Sequence, residues 1–318
     1  MSEKGRLRRT LLCIGLIAMY MAGCGTVNES TGPGETVKTD EKTIDKNDAV
    51  KTADEAAAGR EDGTNTAVDG KQDTADITVE EIVLEGLGLS IFGDSISTYD
   101  GYIPYGFRVF YPLYGELTDV SQTWWMQLLN DTGMELCAND SSSGSTCVGV
   151  SLSLDDPQSG CSALRISQLM GIQGKVPDVI IVYMGTNDLL EGIPLGDNNG
   201  TRPVEEGVIE NFSDAYSLIL DKTANDYPTA TIYCCTLPPV GDWGTEQPFV
   251  TYTNHLGLTS EDYSERIQMI AENKGISVID LRQCGIEIDN LQEMTTDGVH
   301  FNSKGMERLE QAILNGLK

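Results

Sequence analysis

Nucleophilic catalysis by a hydroxyl needs four groups: an attacking atom, a base that is neutral near pH 7, an orienter for that base, and donors for the developing oxyanion. Ser95 is the candidate attacker. It follows a short apolar run, Leu89–Phe92, that stops abruptly in "GDS". Only two histidines occur, His255 and His300. His300 lies in "TTDGVHFNSKG", three residues after Asp297. In a turn leading into a helix, that offset brings a carboxylate back to the imidazole. There it fixes the tautomer and stabilises the imidazolium. His255, in "TYTNHLGLT", has no carboxylate at that spacing and reads as a polar loop residue at a cleft rim. Two donors suit the oxyanion. Asn187, in "GTND", carries an amide without charge, and Gly144, in "NDSSSGST", lets a backbone N–H approach a ligand closely. Taken singly, each stretch also reads as an ordinary turn, since Gly, Asn, Asp and Ser are turn formers.

The elements between these stretches decide whether they meet. From about residue 82, strand-like apolar runs alternate with helix-like periods. "LSIF" is followed by an aromatic loop and the helical "SQTWWMQLLNDTG". "MELCA", "DVIIVYMG", "TATIYCCTL" and "ISVIDL" read as further strands. The spacing predicts helices over residues 204–224, over "SEDYSERIQMIAENKG" with Ser260 as cap and Gly275 as stop, and over "NSKGMERLEQAILNGLK". In the last, Met306, Leu309, Ile313 and Leu317 share a face. Such alternation predicts an α/β fold with a parallel sheet covered on both sides. Functional residues then gather past the carboxyl ends of strands. Ser95, Gly144 and Asn187 each follow a predicted strand, and Asp297 and His300 precede the last helix. Asp94 and Asp188 read as loop acceptors for backbone N–H groups.

The four stretches together resemble the SGNH (GDSL-type) hydrolase family over about residues 87–318. "GDSIS", "NDSSSGST", "GTND" and "DGVH" match its blocks. The resemblance implies a flavodoxin-like three-layer α/β/α sandwich with a mainly parallel five-stranded sheet. It implies Ser95, Asp297 and His300 as a catalytic triad, and an oxyanion hole from the N–H groups of Ser95 and Gly144 and the side chain of Asn187. It also implies ester or thioester hydrolysis with no metal and no organic cofactor.

The remainder bounds location and partners. Lys4, Arg6, Arg8 and Arg9 precede "LLCIGLIAMYM" and "AGC", an export signal too short to span a bilayer as a mature helix. Its end resembles a bacterial lipoprotein box, with Cys24 as the lipidated residue and Met21 where leucine is usual. A plain secretory signal is the alternative. Residues 25–81 lack aromatics and are rich in Thr, Asp, Glu, Lys, Gly and Ala, the composition of a disordered tether. The expected organisation is therefore a signal over 1–24, a tether over 25–81 and a catalytic domain over 82–318. The protein is expected at a bacterial cell surface, held on the membrane by its lipid. A net charge of −28 argues against nucleic acid as a partner. Among the six cysteines beyond Cys24, Cys147–Cys161 is a conceivable disulfide, whereas Cys234 and Cys235 read as buried thiols. Tyr99, Tyr102, Tyr105, Phe107, Phe110, Tyr111 and Tyr114 crowd one loop, with Trp124, Trp125 and Trp243 elsewhere. These rings are either sugar platforms or loop packing. The expected substrate is an acylated glycan, deacetylated outside the cell. A lipase, phospholipase or thioesterase of the same fold and a non-catalytic glycan-binding lipoprotein are the alternatives.

Overall fold

The computed structural model describes residues 83–318, apart from residue 154. The expected signal, Cys24 and the tether lie outside the described residues. Five strands form one wholly parallel sheet: β1 (Gly88–Gly93), β2 (Glu135–Ser141), β4 (Val179–Tyr183), β6 (Thr231–Cys235) and β7 (Ser277–Ile279). Their order is β2-β1-β4-β6-β7. Two-residue strands β3 (Gly149–Val150) and β5 (Val208–Ile209) pair antiparallel as a separate ribbon. Every residue of β1 and β4 is buried, so both faces of the central sheet are covered, as their continuous apolar runs require.

The helices are α1 (Trp124–Thr132), α2 (Ala163–Ser167), α3 (Thr186–Glu191), α4 (Phe212–Asp226), α5 (Ser260–Asn273), α6 (Leu291–Met294) and α7 (Ser303–Leu317). They pack as two groups, α1 with α7 and α4 with α2 and α5. On α7, Met306, Leu309, Ile313 and Leu317 are all buried. Burial of such side chains contributes about 1.5–3 kcal/mol each. Asn302 caps this helix by accepting from Lys304 N (3.0 Å) and Gly305 N (3.2 Å), which fixes the chain two residues after His300.

Three local expectations change. The helix expected over 204–224 begins only at Phe212, because Val208–Ile209 pair with β3 and Asn211 caps the helix by accepting from Asp214 N at 3.0 Å. The cap of α5 is Thr259, not Ser260. Thr259 N donates to Asp262 Oδ2 at 2.7 Å in a capping box. Cys147 and Cys161 are not bridged; all six cysteines of the described residues are free and buried. These two share a backbone bond instead, Cys161 N donating to Cys147 O at 2.9 Å. Among the described residues no helix is long and apolar enough to cross a membrane.

Sheet register sets the site. Gly93 pairs with Ser141 on one side and Tyr183 on the other, so β1, β2 and β4 end at one level. The segments carrying Ser95, Gly144 and Asn187 leave from that level.

Candidate active site

Ser95 opens a 3-10 turn, Ser95–Ser97, directly after β1. Asp94 caps the turn by accepting from Ile96 N at 3.1 Å. The turn is held from below. Ser97 O accepts from Trp125 Nε1 (3.0 Å) and Asn139 Nδ2 (2.9 Å), and Ser97 Oγ accepts from Trp124 Nε1 (3.1 Å). Gly93 is required for this crowding: a Cβ there would sit 2.7 Å from Ser141 Oγ and 2.9 Å from Ser97 Cβ.

His300 meets Ser95 across 205 residues of sequence, with Nε2 3.0 Å from Ser95 Oγ. Its Nδ1 lies 2.8 Å from Asp297 Oδ2. The carboxylate selects the tautomer with hydrogen on Nδ1, which leaves Nε2 free to accept from the Ser95 hydroxyl. Asp297 is itself anchored, its Oδ1 accepting from His300 N (2.8 Å) and Val299 N (3.0 Å). Burial pushes the Asp297 carboxyl up, but the hydrogen bonds and charge of His300 and the backbone donors outweigh it, so the group lies below its ordinary value. Ser95 is 4% exposed and His300 6%. Both reacting atoms are therefore recessed.

Two contacts to this pair were not anticipated. Phe110 lies flat on the His300 ring, with centroids 3.6 Å apart and planes at 9°. Trp243, 52% exposed, donates its indole N–H to Asp297 Oδ2 at 3.1 Å. The aromatic residues thus divide into two sets. Tyr111, Trp124 and Trp125 are core, with Tyr111 Oη donating to Phe301 O at 2.9 Å beside the base. Tyr105, Tyr114 and Trp243 face solvent.

The loop after β2 carries Gly144 at φ +76°, a left-handed conformation that favours glycine. Ser142 N donates to Gly93 O at 3.3 Å, tying this loop to the end of β1. Asn187, in the first turn of α3, donates from Nδ2 to Ser145 O at 2.9 Å. The amide retains a second N–H. Among the described residues, no protein group accepts from the N–H of Ser95 or of Gly144. The three expected oxyanion donors therefore follow the level ends of β1, β2 and β4 with hydrogen-bonding capacity to spare. Asp188 does act as a loop acceptor, taking Cys147 N at 2.9 and 3.0 Å. His255 is an exposed loop residue packed on Gly192, apart from the Ser95–His300 pair.

Beneath the loops lies a buried ion pair. Arg165 Nε donates to Asp140 Oδ2 at 2.8 Å, and its Nη2 donates to Gly93 O and Asp140 O, both at 2.8 Å. Phe92 lies under the guanidinium, 4.7 Å from its centre. The sequence held a signal for this: an arginine inside the apolar helical stretch "CSALRISQL". Three buried carboxyls surround the loops. Burial pushes Asp94 and Asp140 up to about 6 and Asp188 up to about 7, against the opposing pull of their donors. The thiols are no rival nucleophiles. Burial raises Cys234 to about 12 and Cys284 to about 11, so they stay protonated.

Comparison with known proteins gives a consistent picture. The family model described as "GDSL-like Lipase/Acylhydrolase" matches residues 87–242. A solved protein of Bacteroides ovatus, assigned as a GDSL-like lipase, is 26% identical with a TM-score of 0.52. The match covers 73% of this chain and 98% of that one. Another from Bacteroides uniformis, assigned likewise, is 25% identical with a TM-score of 0.54, covering 73% and 95%. A Lactobacillus plantarum protein at 18% identity and a TM-score of 0.54 shares the fold. No curated protein matches the chain.

Proposed function

Because the chain belongs to the GDSL-like lipase/acylhydrolase family, whose members hydrolyse esters, we propose that it is a serine esterase working through an acyl-enzyme. The observation that carries this reading is the hydrogen-bond chain from Ser95 Oγ to His300 (3.0 Å) and on to Asp297 (2.8 Å). His300 Nε2 takes the hydroxyl proton as Ser95 Oγ attacks the ester carbonyl carbon. Asp297 stabilises the imidazolium, and Phe110 and Trp243 hold the pair in place. The oxyanion takes N–H groups from Ser95, Gly144 and the Asn187 side chain. His300 then protonates the departing alcohol. Water, giving its proton to His300, attacks the acyl-enzyme and releases the acid.

The substrate in this reading is an acetylated extracellular carbohydrate. Support comes from the exposed Trp243 indole, anchored on Asp297 and therefore held next to the base. A flat ring with a polar edge suits a sugar face. The reading extends to location: lipidation at Cys24 tethers the domain through residues 25–81 to a bacterial surface. Loss of the chain from the membrane fraction in Cys24→Ala is the expected result there.

Labelling by a fluorophosphonate tests the mechanism. The natural chain should label and Ser95→Ala should not; labelling that survives the substitution, or none in either, overturns the serine mechanism. A series of acyl chain lengths tests the substrate. Acetyl esters should be preferred, and a preference for long chains would replace the carbohydrate reading with a lipase.

A further inference from the structure

We propose that Arg108 forms an anion-binding subsite beside the oxyanion loop, so that the preferred acetyl ester is carried on an acidic sugar. The proposal rests on the esterase reading above and deepens it.

Arg108 is fixed where a substrate must pass. Two residues on, Phe110 covers the His300 ring. On the other side, the Arg108 backbone is tied to the loop that carries Gly144. Ser143 N donates to Arg108 O at 2.8 Å, and Arg108 N donates to Ser142 Oγ at 3.3 Å. Gln158 Nε2 donates to the same Ser142 Oγ at 2.7 Å and locks it. The point where the Arg108 side chain leaves the backbone is therefore set by the oxyanion loop. The guanidinium reaches back over that loop: a Cβ built on Gly144 would lie 3.9 Å from Arg108 Nη1.

Arg108 also lacks the charge partner that six of the chain's other described cations have. Acidic residues number 49 against 21 basic ones. Arg165, Lys175, Arg202, Lys222, Lys274 and Arg282 each hold a carboxylate partner. Arg108 is exposed, and among the described residues no carboxylate lies within ion-pair distance of it. Arg266, Lys304, Arg308 and Lys318 also lack a carboxylate partner among the described residues, so place sets Arg108 apart: an unpaired guanidinium beside the Gly144 loop is free for a ligand. A guanidinium fork matches a carboxylate, with two parallel N–H donors for two oxygens. An acetyl group has no room for a charge, so the anion belongs to the alcohol side of the ester. The solvent-facing rings of Tyr105, Tyr114 and Trp243 favour a sugar as the carrier over a lipid headgroup. A sugar carboxylate is therefore the ligand that both features select.

The test compares acetate release by the full chain from two matched probes, an O-acetylated methyl glucuronoside and the corresponding O-acetylated methyl glucoside. The natural chain should favour the glucuronoside in kcat/KM by about tenfold, the scale of a partly screened hydrogen bond to a charge. Arg108→Ala should bring the ratio close to one, Arg108→Lys should keep part of it, and Arg108→Glu should invert it. Ser95-dependent cleavage of both probes with a ratio that Arg108→Ala and Arg108→Glu leave unmoved overturns the subsite alone. No cleavage and no fluorophosphonate labelling of Ser95 overturns the esterase reading beneath it. Arg108-dependent hydrolysis of dispersed short-chain phosphatidylglycerol without cleavage of the glucuronoside overturns the sugar in favour of a lipid.

Discussion

Raising the pH from 5 to 8 must ionise Asp94, Asp140 and Asp188 inside the folded domain. Their ordinary value is 3.8, and burial moves the first two to about 6 and the third to about 7. The folded state therefore holds protons that the unfolded chain has already lost. Stability must fall as pH rises wherever the folded state binds more protons, here from about pH 4 to about pH 7. Between pH 5 and pH 8 the loss is about 1.4 kcal/mol for a group at 6 and about 2.6 kcal/mol for one at 7. The three together give a loss on the order of 5 kcal/mol, or a Tm lower by roughly 10–20 °C at pH 8. Carboxyls held below their ordinary value, such as Asp297, act oppositely but only below about pH 4. The assay is thermal unfolding at pH 5 and pH 8 in about 1 M NaCl. There the Debye length is about 3 Å, and the self-repulsion of a −28 chain, which has the same sign, is screened. Asp94→Asn keeps an acceptor for Ile96 N and removes one titrating group. The gap between the two pH values should narrow by about 1.4 kcal/mol in that variant. A Tm at pH 8 equal to or above that at pH 5, or an undiminished gap in Asp94→Asn, would refute the reasoning.

Two further outcomes follow from the loops. Asn187→Ala should lower kcat by about 10²–10³ with little change in KM, because its amide is needed mainly when the oxyanion forms; steady-state kinetics on an acetyl ester check this. Arg165→Met leaves the Asp140 carboxylate buried without its partner and takes a donor from Gly93 O. Unfolding in urea should show a loss of about 3–5 kcal/mol at pH 8 and a smaller loss at pH 5, where Asp140 can take a proton.

The parts legible in the sequence share a property: each is written in a few adjacent residues. "DVIIVY" reads as a strand buried on both faces, and β4 is buried throughout. The offset between Asp297 and His300 is a local turn, and the turn closes as the spacing requires. The start of α4 was less legible, because whether Val208 and Ile209 belong to a helix depends on β3, more than fifty residues away. The same holds for Arg165 with Asp140 and for Phe110 with His300. These contacts join loops whose adjacency only the sheet register decides. The aromatic loop was illegible in another sense. Composition counts its rings but cannot tell Tyr111, wholly buried, from Tyr105, wholly exposed.

One loop therefore carries two jobs on the same few residues. Phe110 steadies the base, Tyr111 braces Phe301 next to it, and Arg108 stands two positions before Phe110 at the substrate's approach. A loop built this way is not a detachable module. Grafting it from a relative to exchange substrate preference would carry a foreign clamp to His300 as well. New specificity in this scaffold should then come more readily from single exchanges at Arg108 or Tyr105 than from loop transplantation, because both side chains are exposed, whereas Tyr114 packs on the Phe110 ring that steadies His300.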